Sequence, residues 1–416
     1  MSVGERAMRI LLIPSGDWFS PLPTRHKFLA RILSERGHDI HVLRIATSGN
    51  GRRPEAEGVH VHELKGMQLS SRVTGNEILH YATSGMAYAS AIREIVSTVP
   101  IDVILSSNLL PSAAATIVAR MLGIPVVYDV IDFFPDFVLR YKEDGLGLRL
   151  LRSIASRVFE FNLRHADRII VLGQASREYV LRTIGPSRRG AITILPNGIP
   201  REIAENGHSL GSLPGSREAT GLRVGLIGSL EFWIDTRFII DFVRTLRTLD
   251  PTATLTVLGG RPDSGSPDVV SELRERWESS GLRDGLFLRG FVPYNELWEE
   301  LPRFQIGLVP FKAGLQISQY ALPLKVLEYL AAGSVVVSTP LRELMDFAKG
   351  AAIFEGDGSA AALRAFGLLQ DPARLSDHLV AGSSLARRHG WHELALVLEK
   401  ELHEAVEGQT GERLRR

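Results

Sequence analysis

The 416-residue chain has no cysteine, which removes disulfides, thiolate metal sites and cysteine nucleophiles in one step and fits a cytoplasmic protein. It has no run of 18 apolar residues, so no stretch reads as a membrane span. The opening MSVGERAMRILLIPSG has an apolar core of only a few residues, too short for a signal peptide, and reads as a first strand. No zinc-ligand spacing, P-loop, nucleophile elbow or fixed-period repeat occurs, and the first βαβ stretch carries no G-x-G-x-x-G. Neither sign of charge dominates: 48 Lys and Arg stand against 47 Asp and Glu, which offers no footprint for nucleic acid. What remains is a globular composition, 44% hydrophobic and 23% charged, with length for two domains and 39 glycines to serve many tight βα turns.

The charge is unevenly placed. Residues 1–204 carry 25 Lys and Arg against 19 Asp and Glu, and the remainder carries 23 against 28. The first half therefore suits an anionic acceptor or peripheral contact with an anionic membrane at its inner face, and equally a plain solvated surface.

The stretch PLKVLEYLAAGSVVVSTPL, residues 323–341, reads as a helix, a turn and a strand with little slack. Pro323 suits a first helical position, Gly333 a left-handed cap, and Val335 to Val337 a buried strand. With the upstream run Ile306 to Val309 it makes a βαβ unit, whose helix N-terminus meets the carboxyl edge of the sheet and favours an anion there. Lys325 lies in the first turn, where a cation opposes the helix dipole, and Glu328 one turn later on the same face. A phosphate would account for Lys325; an ordinary surface ion pair would also account for both.

Taken in order, a strand from Met8 to Ile13, a polar loop to Pro23 and a helix from Thr24 to Glu35 open the chain. Gly16 lies in that loop and Arg25 at the helix start, where an acceptor or phosphate can approach backbone N–H groups. Arg52 to Gly75 is a weakly patterned connection. Helix 77–96, strand Val103 to Ser106, a βα loop containing Asn108, helix 112–122 and strand Pro125 to Asp129 follow. The next residues, VIDFFPDF, put Asp129, Asp132 and Asp136 near a strand's carboxyl end among aromatics, which raise carboxylate pKa values toward general-base range. Leu146 to His165 is a basic amphipathic helix with Leu150, Leu151, Ile154, Val158 and Phe161 along one side; it suits either packing on a sheet or lying on an anionic membrane. Glu202 to Gly221, rich in Gly and Ser, is the linker, and a second βα series starts at Leu222. Ser384 to Glu407 reads as one helix, and Gly408 to Arg416 as a frayed end.

Several of these stretches resemble the GT-B glycosyltransferases, and among them glycosyltransferase family 4 and its surface-polysaccharide subgroup. The resemblance spans nearly the whole chain. RGHDIHVL at 36–43, IPVVYDVIDFFP, ILPNGI and FKAGLQISQYALPLKVLEYLAAGSVVVST match family segments in order and spacing. It implies two Rossmann-like α/β domains facing a cleft: an acceptor-side domain over 1–203, onto which a last helix at 391–407 crosses back, and a donor-binding domain over 204–390.

The same resemblance implies transfer of a sugar from a nucleotide-diphosphate sugar to a hydroxyl acceptor, with retention and without a metal or other cofactor. Glu328 matches the second glutamate of the family's E-x7-E motif, which holds the donor ribose, while the first glutamate's place is Tyr320. Ser229 and Ile234 stand where many relatives have an arginine and a lysine that clamp the diphosphate, so Lys325 and the helix start carry more of that task. Gly228, Gly290, Gln319 and Leu324 complete the donor side. The family's His-Asp pair falls on Ile131 and Asp132, making Asp132 the first candidate for acceptor-side catalysis and Asp129 the second. Two other classes share the architecture: a sugar-nucleotide 2-epimerase, and a non-catalytic partner subunit that binds nucleotide weakly.

Overall fold

The computed structural model describes residues 6–16, 18–20, 22–45, 58–64, 77–132, 146–206, 221–259 and 267–413. The chain divides into two compact units, Met1–Pro196 with Trp391–Arg416, and Asn197–Gly390. The first division therefore falls at Pro196, seven residues before the boundary read from the sequence.

The first unit alternates strand and helix: β1 (Arg9–Ile13), α1 (Arg25–Glu35), β2 (Asp39–Ile45), β3 (Val59–Leu64), α2 (Glu77–Thr98), β4 (Val103–Ser106), α3 (Leu109–Leu122), β5 (Val126–Val130), α4 (Leu146–His165), β6 (Arg168–Val171), α5 (Gln174–Ile184) and β7 (Ile192–Ile194). All pairings are parallel, in the order β3-β2-β1-β4-β5-β6-β7. Central strands such as β4 and β5 are buried at every residue because helices cover both faces of a parallel sheet. The order reverses between β1 and β4, so the crevice outside their carboxyl ends is where such a sheet takes a ligand.

The second unit repeats the scheme with α6 (Arg201–Asn206), β8 (Arg223–Ile227), α7 (Thr236–Leu249), β9 (Thr254–Leu258), α8 (Pro267–Ser279), β10 (Leu286–Gly290), α9 (Tyr294–Glu300), β11 (Ile306–Val309), α10 (Gln316–Gln319), α11 (Leu324–Ala331), β12 (Val335–Ser338), α12 (Arg342–Phe347), β13 (Ala352–Phe354), α13 (Gly358–Leu369) and α14 (Pro372–Arg387). Its sheet runs β10-β9-β8-β11-β12-β13, all parallel, and reverses between β8 and β11. The last helix, α15 (Trp391–Arg413), belongs to the first unit.

Five details depart from the sequence reading. The connection Arg52 to Gly75 contains a strand, β3, whose VHVHEL alternates polar and apolar residues because it forms the sheet's edge rather than its centre. Helix α3 starts three residues earlier than expected, since Asn108 caps it by accepting from Leu109 N–H. The single helix read from Ser384 is two: α14 ends at Arg387, and α15 begins after Gly390 and stays helical through Arg413, past the expected frayed end. On α4 the buried stripe is Leu151, Ala155, Phe159 and Leu163, while Leu150 and Ile154 are exposed. The expected linker starts inside a helix, Arg201–Asn206, and its residues 207–220, like Phe133 to Asp136, lie outside the described residues.

Candidate active site

In the second unit α11 is set by its ends. Pro323, with φ −68° and ψ 139°, stands at the N-cap rather than the first helical position. At the other end Gly333 has φ +80°, and its N–H and that of Ser334 donate to the carbonyls of Leu330 and Tyr329 at 3.3 and 3.0 Å. That pair of bonds is the Schellman arrangement, which needs a residue at ease in the left-handed region. The helix is thereby fixed with its first turn at the carboxyl edge beside the β8–β11 reversal.

Tyr329 holds that reversal open. β8 pairs with β11 only through Val224 and Gly225. Beyond them, the Tyr329 hydroxyl donates to the Gly225 carbonyl and accepts from Ile227 N–H, both at 2.9 Å, in place of a strand partner. A Cβ at Gly307 would lie 2.3 Å from the Tyr329 ring, so only glycine lets the ring cross β11.

Lys325 and Glu328 are both buried in the first turns of this helix. The Lys325 amine lies against the turn after β8: a Cβ at Gly228, whose φ is +95°, would sit 3.2 Å from Nζ and 3.3 Å from Cε. The amine is also 5.4 Å from the Phe311 ring centroid, a cation–π distance. Burial pushes the Lys325 amine down to about 8, against the nearby Glu328 charge, and burial pushes the Glu328 carboxyl up, against the facing Tyr294 hydroxyl and Lys325. Tyr294, the first residue of α9, faces Glu328, and burial followed by the Glu328 charge raises its own pKa. Trp298 meets the Tyr294 ring edge-on at 5.9 Å. This buried group carries one cation and one carboxylate, each at a cost of desolvation that a charged, hydroxyl-bearing ligand would offset.

The other donor-side candidates divide. Gly228 lines the site directly, with Ser229 half-buried next to it. Leu324 opens α11, and Tyr320 is buried at the end of α10. Gln319 is spent on backbone: its amide donates to the Ala313 and Pro340 carbonyls and accepts from Arg342 N–H, which ties the β11–α10 and β12–α12 loops together. Gly290 ends β10 with φ +69°, and its carbonyl accepts from Gly259 N–H at 2.7 Å. Ile234 is core, bridged to Phe311, so that position presents no charge to the site.

In the first unit the carboxyl edge brings Gly16, Asn108 and Asp132 onto adjacent loops. Asn108 joins two of them, donating to the Ser15 carbonyl at 3.3 Å. Asp129 and Arg25, read as acceptor-side groups, are instead an internal brace: Asp129 Oδ2 lies 3.1 Å from Arg25 Nε and 3.2 Å from His26 Nε2, all three side chains being almost fully buried. Arg25 also donates to the Leu195 carbonyl. Asp132 is half-buried, and burial followed by the Asp129 charge raises its carboxyl to about 6. Reading the residues alone missed Tyr294 and Tyr329, since nothing in local spacing shows which distant strand or helix a ring will reach.

Among the described residues, His38, Glu399 and His403 bring potential ligand atoms within 4.8 Å of one another. Their hydrogen bonds serve another purpose. His38 Nδ1 accepts from Met8 N–H, so its proton is on Nε2 and is donated to Glu399 Oε1 at 2.7 Å, while Arg36 donates to Oε2. Both His38 nitrogens are occupied, and the group clips α15 to β1 and β2.

Two parallel-sheet Rossmann-like units, each with its own reversal point, make up the GT-B architecture of glycosyltransferases. Residues 25–198 match the model of the glycosyl transferase 4-like domain, and residues 221–371 that of the glycosyl transferases group 1. Together with the fold, these matches make the chain a GT-B glycosyltransferase. Similar solved structures include HepE of Anabaena in complex with UDP, at 16% identity and TM-score 0.66 over 95% of this chain and all of that one. Sucrose-phosphate synthase of Thermosynechococcus elongatus aligns at 15% identity and TM-score 0.75 over 96% of this chain and all of that one. The α,α-trehalose 6-phosphate synthase of Burkholderia multivorans aligns at 13% and 0.70, over 97% and 100%. No curated sequence matches the chain.

Proposed function

We propose that the protein transfers a sugar from a nucleotide-diphosphate sugar, with UDP as the first nucleotide to test, to a hydroxyl acceptor. The observation that carries this reading is the buried Lys325–Glu328 pair at the N-terminus of α11, beside Gly228 and the opened β8–β11 reversal. HepE binds UDP and UDP-glucose on the same fold, which supports the nucleotide.

In this reading Glu328, steadied by Tyr294, accepts the two ribose hydroxyls, and Lys325 with the N–H groups of the first turn of α11 faces the diphosphate. The bond from the anomeric carbon to the β-phosphate oxygen breaks, the acceptor oxygen bonds to that carbon, and the acceptor proton leaves. As the diphosphate departs it gains negative charge, so Lys325 stabilises the transition state more than the ground state. That positive charge does on the protein side what a bound cation would do, which is the basis for proposing metal-independent transfer. Asp132, with its carboxyl raised to about 6, orients the acceptor hydroxyl or takes its proton. Retention is proposed from the family resemblance alone.

Binding is tested by calorimetry with UDP, GDP, ADP and UDP-sugars on the wild type and Glu328→Gln. UDP should bind measurably, and the variant should lose about 1–3 kcal/mol with its fold intact. No binding by any nucleotide, or equal affinity in the variant, would overturn the reading. Product analysis without an acceptor separates transfer from epimerisation at C2.

Contact with an anionic membrane is proposed for the first unit. No helix among the described residues is long and apolar enough to cross a membrane. Leu150 and Ile154 on α4, and Ile117 and Met121 on the adjoining α3, are nevertheless exposed, with Arg149, Arg152 and Arg157 also exposed on α4. Flotation with vesicles containing phosphatidylglycerol should carry the protein, and Leu150→Glu with Ile154→Glu should abolish it.

A further inference from the structure

The edge of the first sheet holds a group that glycosyl transfer does not use. β2 and β3 pair in parallel with His41 opposite His60, so side chains two residues apart along each strand share one face. That face presents Asp39 and His41 on β2 and His60 and His62 on β3. It lies toward the amino-terminal end of the strands, whereas Asp132 follows a strand's carboxyl end.

The four side chains converge. Asp39 Oδ1 is 3.3 Å from His41 Nε2 and 3.3 Å from His60 Nε2. His41 Nδ1 is 2.9 Å from His62 Nε2, and the His41 ring stacks on those of His60 and His62 at 4.9 and 5.2 Å between centroids. Arg9 on the neighbouring strand approaches the other Asp39 oxygen, Oδ2, at 4.0 Å, and leaves Oδ1 to the histidines. Glu94 of α2 faces His62 from the helix side.

One feature of this group is costly as it stands. His41 is almost wholly buried, and its Nε2 has no hydrogen-bond partner among the described residues although a carboxylate oxygen faces it. With the shared proton on His41 Nδ1, donated to His62, Nε2 carries a bare lone pair 3.3 Å from Asp39 Oδ1 but off the line of a hydrogen bond to it, as two ligands of one ion are. Two lone pairs held together at this spacing repel, and a cation between them turns the repulsion into ligation. The two spacings to Asp39 Oδ1 fit: ligand atoms 2.0–2.1 Å from a tetrahedral zinc ion lie about 3.3 Å from each other. His62 then plays the outer partner's part, fixing the tautomer and orientation of His41 as metal-bound histidines require. His60 is largely exposed, and rotation of its side chain sets the remaining ligand-to-ligand distance.

We propose that Asp39, His41 and His60, with His62 behind His41, bind one first-row divalent metal ion of the zinc type, which pins the edge strand β3 to β2. Two histidines and a carboxylate leave the fourth position to water, and imidazole with carboxylate suits zinc, cobalt or nickel better than calcium or magnesium. Binding requires neutral imidazoles and therefore weakens on acidification.

The test titrates Zn²⁺, and separately Co²⁺, into the full chain carrying no histidine tag and stripped with chelator. One Zn²⁺ per chain should bind by calorimetry, and Co²⁺ should give visible absorption of a four-coordinate site. His60→Ala, at an exposed position that spares the core, and Asp39→Asn should each weaken Zn²⁺ binding at least tenfold, whereas His403→Ala should leave it unchanged. Zn²⁺ should raise the melting temperature of the wild type and not that of His60→Ala. Absence of binding at millimolar Zn²⁺, unchanged binding in both edge variants, or loss of binding in His403→Ala would overturn the proposal. The first of these outcomes would assign the cluster to a protonated His41 bonded to Asp39.

Discussion

Lys325 carries a pH dependence that distinguishes it from a surface cation. Burial holds its amine near 8 in the free protein, and a diphosphate against it favours the charged form and raises that value. Below about pH 8 the amine is protonated with or without ligand, and above it binding must take up a proton. UDP affinity is therefore expected to fall as pH rises from 8 to 9.5, approaching tenfold per unit, and to become flat in Lys325→Met; calorimetry at several pH values checks both. The same residue should matter more for turnover than for affinity, and Lys325→Ala is expected to lower kcat by about 10²-fold or more, read against KM for the donor. For Asp132 the sign runs the other way. Its carboxyl titrates near 6 folded against an ordinary 3.8, so the folded state holds the proton more tightly. That contribution to stability is full below about pH 4 and is lost as pH rises through 6. Asp132→Asn should thus be more stable than wild type at pH 8, by at most about 3 kcal/mol, equal to it at pH 4, and slower in transfer by about 10²-fold or more. Lys325 and Glu328 were legible in the sequence because one helix turn places them together; Tyr294 was not, because it comes from another βα unit.

At the scale of elements, the parallel strands announced themselves as short runs of Val, Ile and Leu, and Gly333 announced the end of α11. Two elements did not. The edge strand β3 is half polar, so its alternation vanished into a weakly patterned stretch, and the α14–α15 break rests on a single Gly390 inside residues that otherwise suit a helix. The opened β8–β11 junction was invisible for a different reason: it depends on a tyrosine hydroxyl satisfying two backbone groups 102 and 104 residues away. Tyr329→Phe keeps the ring that crosses Gly307 and deletes only that oxygen. It leaves the Ile227 N–H and the Gly225 carbonyl buried and unpaired, at about 1–3 kcal/mol each. Chemical denaturation should show that loss with an unchanged m value, and a change below about 0.5 kcal/mol would mean that the strands re-pair without the hydroxyl.

At the scale of the whole molecule, the resemblance in motif order anticipated two Rossmann-like domains and a last helix returning to the first, but not what holds that helix. α15 brings Trp391, Leu394, Leu398 and Leu402 into the core of the first unit, and Trp391 stacks on Phe28 of α1 at 5.2 Å. Each such side chain is worth about 1.5–3 kcal/mol on burial, so the four together rival the roughly 5–15 kcal/mol net stability of a domain. The helix also supplies Glu399 to His38 and Arg36, and Glu401 and Glu404 to Arg168. A fragment of residues 1–196 would lose all of this and leave His38 Nε2 without its partner. The second unit needs nothing comparable, because its ends meet: Ile199 N–H donates to the His389 carbonyl at 2.9 Å and Ile199 bridges Gly390. Residues 197–390 produced alone should therefore unfold cooperatively on heating, whereas residues 1–196 should not. Joining residues 391–416 to 1–196 through a flexible linker should restore a cooperative transition and the near-ultraviolet signal of packed Trp391. A cooperative transition in 1–196 alone, at the temperature of the linked form, would show that α15 is dispensable to the first unit.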